Sequence, residues 1–87
     1  MKVHISDEGI TVDARDLGPL LGLEPSQVPE KMRSGEITSM HETGSGEDAG
    51  RFRVTFWHEG QRLRLTCAED GTVISRVKNP GTPPRRK

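Results

Sequence analysis

Cysteine occurs once in these 87 residues, at Cys67. That excludes an internal disulfide and fits a reducing cytoplasm. No run of about 18 apolar residues exists, so no helix is expected to cross a membrane. The opening MKVHISDEG lacks the apolar stretch of a secretory signal. Net charge is also missing, because 13 basic side chains offset 13 acidic ones, and this counts against a dedicated nucleic-acid binder. Hydrophobic content is only 30%, which implies one domain with a small core. Such a domain has roughly 5 kcal/mol of stability, so a homodimer is compatible with it. Internal repeats are absent.

Catalytic patterning is lacking as well. His4, His41 and His58 share no ligand spacing, and His4 and His58 are expected at strand ends on the surface. No serine, histidine and acid cluster by pattern, and Cys67 falls on a core face where a thiol is inert. The expectation is a protein that is not an enzyme, with no cofactor and no metal.

What is present is a hairpin. Arg51 to Cys67, RFRVTFWHEGQRLRLTC, alternates apolar and polar residues on both sides of Glu59-Gly60. A two-residue turn pairs His58 with Gln61 and sets Phe56 against Leu63, Val54 against Leu65 and Phe52 against Cys67. A slip of one residue would drive arginines into the core, so the register is firm.

The rest of the chain follows from local signals. Val3-His4-Ile5 and Ile10-Thr11-Val12 predict a first hairpin, with a Glu8-Gly9 turn pairing Ile5 with Val12. Asp13 is the expected N-cap of a short helix that carries Gly18-Pro19 and ends at Gly22. Ser26 caps a second helix with Pro29 in its first turn, burying Val28 and Met32 and ending at Gly35. A strand is expected over residues 36–43, followed by the glycine-rich loop 44–50. After the hairpin, a three-residue loop Glu69-Asp70-Gly71 pairs Cys67 with Val73 and Leu63 with Val77. The fold class is therefore α+β: an N-terminal β-hairpin, two short helices, then an antiparallel sheet of three to four strands. The domain is expected over residues 1–78, with 79–87 a disordered basic, proline-rich tail.

Charge is segregated along the chain. Residues 1–48 carry 4 basic and 10 acidic side chains, whereas 49–78 carry 6 and 3. Arg51, Arg53, Arg62, Arg64 and Arg76, with Trp57, are placed on the non-core face. There Arg64 would oppose Arg76, and the group would suit an anionic ligand or a protein partner. Glu47 and Asp48 are the internal alternative for neutralising them.

The stretch from Ile10 to Ile37, with Leu21-Gly22-Leu23 and Arg33-Ser34-Gly35-Glu36-Ile37, resembles the helix-turn-helix of excisionase-like and MerR-like proteins. That resemblance implies DNA reading by Gln27, Lys31, Arg33 and Ser34. The acidic N-terminal half, which would repel phosphate, opposes it. Met32 to Thr38, the segment Glu42 to Phe56 and Arg62 to Leu65 resemble an uncharacterised family of small bacterial proteins, a domain of unknown function, over roughly residues 10–77. It implies no activity. The expected role is a binding or interaction module using the arginine face, with DNA binding as the alternative.

Overall fold

The computed structural model describes residues 1–6, 9–43 and 50–83. Its elements run in the order β1 (Val3–Ser6), β2 (Gly9–Val12), α1 (Ala14–Leu21), α2 (Gln27–Ser34), β3 (Ile37–Thr43), β4 (Phe52–His58), β5 (Gln61–Cys67) and β6 (Val73–Pro80). β1 and β2 form a two-stranded sheet, and β3-β4-β5-β6 form an antiparallel meander in chain order. This is the expected α+β architecture. Among the described residues, no helix is long and apolar enough to cross a membrane.

The β4–β5 hairpin has the expected register: Phe52 faces Cys67, Val54 faces Leu65, Phe56 faces Leu63 and His58 faces Gln61. Glu59 and Gly60 both take positive φ, 48° and 75°, as a tight primed turn requires. The β1–β2 hairpin differs from the expected pairing by two residues. Val3, not Ile5, faces Val12, and Ile5 faces Ile10. A shift of two keeps every residue on its face while setting two apolar pairs across the strands rather than one.

Local capping shapes both helices. The N–H of Arg15 donates to Asp13 Oδ1 at 2.8 Å, so Asp13 is the N-cap as expected. Leu23 N–H bonds Gly18 O and Gly22 N–H bonds Pro19 O, which closes α1 in a Schellman turn. Ser26 precedes α2 without a side-chain capping bond; Gln27 Oε1 instead accepts the N–H of Glu24. Val28 is buried, but Met32 is exposed, contrary to expectation.

The last strand departs most from expectation. Cys67 faces Val73, but Thr66 faces Ser75, leaving Ile74 as an extra residue in a β-bulge. Beyond it the parity of β6 is inverted. Leu63 faces Lys78 and Arg64 faces Val77, so Val77 is exposed rather than core, and the bulged Ile74 is exposed as well. The strand also runs to Pro80, two residues into the expected tail, and Gly81 N–H bonds Gly60 O at 2.9 Å. Residues 84–87 lie outside the described residues.

One core joins these parts. Leu17, Leu21 and Val28 of the helices and Val3 of β1 pack on Ile37, Val54, Phe56, Leu63, Leu65 and Cys67. By register, all these sheet residues lie on one face. At about 25 cal/mol per Å², a buried leucine or phenylalanine contributes roughly 1.5–3 kcal/mol, so this single layer carries the stability of the domain.

Candidate functional site: the open sheet face

Among the described residues, both helices contribute their core side chains to one face of the four-stranded sheet, and the arginines of β4 and β5 lie on the other. The register builds this second face from three cross-strand rows. The first is Thr38, Trp57, Arg62 and Asn79; the second Met40, Thr55, Arg64 and Val77; the third Glu42, Arg53, Thr66 and Ser75. Strand alternation alone puts Arg53, Arg62, Arg64 and Trp57 here, as the sequence predicts. Arg51, just before β4, is exposed.

Arg76 is not part of this face. It pairs with Leu65, because the Ile74 bulge turns it to the helix side. The expected Arg64–Arg76 opposition is replaced by Arg64 opposite Val77, which removes a like-charge contact. Lys78 likewise turns to the helix side, where its Nζ donates to the carbonyl of Leu20 at 3.1 Å in the last turn of α1.

Burial bears on two further residues. Trp57 is on the arginine face, as expected, but is only 8% exposed, so its indole packs within the domain. His58, expected on the surface, is 5% exposed. Position at a strand end does not reveal the neighbours that close over it: Trp57, His58, Thr38 and Pro83 surround one cavity.

Among the described residues, Arg15 pairs with Asp13 at 3.1 Å and Lys31 with Glu36 at 3.6 Å, His58 Nε2 lies 3.9 Å from Glu59 Oε1, and none of these contacts involves Arg51, Arg62 or Arg64. Arg53 has a partner. The Nε of Arg64 is buried without an acceptor. Glu47 and Asp48, the expected internal counter-charges, lie outside the described residues. Met40 and Val77, at the two ends of the Arg64 row, are exposed apolar side chains.

The helix residues suggested for DNA reading are mostly engaged nearby. Lys31 pairs with Glu36, and Ser34 Oγ lies 2.9 Å from Glu36 Oε2 and 3.1 Å from the Lys31 carbonyl. Gln27 is tied to Glu24, while Arg33 is exposed. Among the described residues, no three metal-binding side chains converge.

Fold and surface together define a small α+β domain whose antiparallel sheet packs the helices on one face and carries Arg53, Arg62 and Arg64 on the other. The profile of a family of unknown function, DUF6522, matches residues 1–86, and the chain belongs to that family. The match takes in the first hairpin and the C-terminal residues beyond the sheet, a wider span than the segments that carried the resemblance. No curated protein and no solved structure matches the chain.

Proposed function

We propose that this protein is a non-enzymatic binding module whose arginine-bearing sheet face receives an acidic segment of a protein partner. The observation that carries this is Arg64. Its guanidinium lies mid-face, half-buried, with a buried Nε that has no acceptor. A donor left in that state is costly, and a carboxylate is the group that best completes a guanidinium fork. Arg62 and Arg51 add charge without an ion pair among the described residues, and Met40 and Val77 supply apolar contact on either side. A reducing compartment, the cytoplasm, suits a chain whose sole cysteine is buried and unpaired.

The test is a titration with a fluorescent poly-glutamate peptide at low salt. Arg64→Ala is expected to keep the fold and weaken binding about tenfold, the loss of one charge-assisted contact. Equal binding by the variant would remove Arg64 from the site, and unfolding on Arg64→Glu would make the arginine structural. Tighter binding to random duplex DNA than to the peptide would replace the reading with a nucleic-acid one.

A further inference from the structure

The four-stranded sheet has two edge strands, β3 and β6, and an edge offers a row of backbone N–H and C=O groups to any passing strand. The two edges are unlike. β6 carries the Ile74 bulge, the basic residues Arg76 and Lys78, and Pro80 at its end, all of which discourage pairing with another chain. Its beginning is also covered from outside, since Lys2 bridges Thr72 and the N–H of Val73 bonds Met1 O. β3, with the sequence ITSMHET, has none of these devices. It holds no lysine, arginine or proline, pairs with β4 without a register shift, and is exposed from Ser39 onward.

The β4–β5 turn fixes which groups of β3 point outward. A two-residue turn closes on a hydrogen-bonded pair, here His58 with Gln61, so His58 directs its backbone groups to β5. Alternation then turns those of Trp57, Thr55 and Arg53 toward β3, where they meet Thr38, Met40 and Glu42. The N–H and C=O groups of Ile37, Ser39, His41 and Thr43 are left facing away from the sheet. Among the described residues, none of them enters a backbone hydrogen bond outside the sheet.

We propose that this edge receives a second copy of the chain, whose own β3 pairs antiparallel to it about a two-fold axis at Met40. Keeping each face continuous across the junction requires paired positions to sum to an even number. Of such symmetric registers, only the one centred on Met40 uses all seven residues. It sets Ile37 opposite Thr43, Thr38 opposite Glu42, Ser39 opposite His41 and Met40 opposite the same residue of the second copy. No side chain meets its own charge. Met40, 41% exposed, gains an apolar neighbour in a non-hydrogen-bonded pair, with Cα atoms about 4.5 Å apart. β6 lacks this compatibility, because a symmetric pairing centred anywhere from Arg76 to Lys78 sets a basic residue opposite a basic one. The surface uses none of the arginines, so it stands apart from the acidic-partner reading.

The experiment is sedimentation equilibrium of the full chain from about 1 μM to about 1 mM, where a mass rising from one chain to two is expected. Ser39→Pro removes an outward N–H and leaves the β3–β4 bonds in place, so it is expected to keep the circular dichroism of the fold and weaken the dimer about tenfold or more. Met40→Lys, at an exposed position, sets two like charges across the axis and is expected to do the same. Crosslinking reads the register. Met40→Cys is expected to form a disulfide with its own copy under mild oxidation, since about 4.5 Å between Cα atoms lies within the disulfide range. Glu42→Cys is expected not to, its two copies being roughly 14 Å apart at about 3.4 Å per residue. The native Cys67 is buried and does not compete. A single-chain mass at every concentration would leave the edge to a strand of some other protein and overturn the dimer. A dimer of unchanged strength in either folded variant, or Glu42→Cys crosslinking as fast as Met40→Cys, would overturn it as well.

Discussion

The carbonyl oxygen of Gly71 accepts the N–H of Val3 at 2.8 Å, and the two backbones approach so closely that a Cβ on Gly71 would strike the Val3 carbonyl. Lys2 bridges Thr72 beside this contact, and Val73 N–H bonds Met1 O at 3.2 Å. The start of the chain is thus tied to the β5–β6 turn, which joins the small sheet to the large one.

Gly71→Ala is expected to be severe for that reason. The residue sits at φ 94°, where a side chain is strained, and the new methyl would also push Val3 away. The cost should be about 2 kcal/mol or more, measured as a fall in the urea midpoint. A midpoint unchanged from the native chain would show that the Val3–Gly71 contact contributes little.

Cys67 should be protected from thiol reagents in the folded protein. Its side chain is fully buried between Phe52 and Val73 in the register, and burial pushes its thiol above the ordinary value of 9.0. Modification at neutral pH is expected only at the rate of unfolding, rising with denaturant alongside the loss of structure. Stoichiometric labelling within mixing time in native buffer would contradict the packing.

Acid should destabilise the fold through three carboxylates. The Arg15 side chain holds the Asp13 carboxyl below its ordinary value of 3.8, the Thr72 backbone N–H does the same for Asp70, and the Ser34 hydroxyl holds Glu36 below 4.5. Each is depressed in the folded state, so its stabilisation is complete above the unfolded value and is lost as pH falls through the folded one. Urea midpoints should therefore be level from about pH 7 to pH 5 and fall below about pH 4. Asp13→Asn, which keeps a capping oxygen, should fall less steeply with acid than the native chain.

The arginine face shows where sequence reasoning reaches and where it stops. Arg53, Arg62 and Arg64 were assigned to it by alternation, because a strand places neighbours on opposite faces whatever packs around it. Arg76 was misplaced by the same rule, since a single bulge residue, Ile74, inverts parity downstream. β6 is an edge strand with little buried area, so nothing local penalises the inversion, and the contact that benefits, Lys78 with Leu20, spans 58 residues of chain. The cavity at Thr38 and His58 was illegible for a related reason. Its walls come from the α2–β3 junction, the β4–β5 turn and Pro83, which only folding brings together.

By itself, then, the amino-acid order determined the α+β class, the Phe56–Leu63 hairpin register, the helix caps at Asp13, Gly22 and Gly35, and the arginine–core division of β4 and β5. These depend on dihedral preference and side-chain alternation, which act within a few residues. The tertiary structure alone decided the pairing of the first hairpin, the side on which Arg76 and Lys78 lie, and the burial of Trp57 and His58. Each depends on contacts between segments far apart in sequence, where competing registers differ little in local energy and the packed assembly selects one.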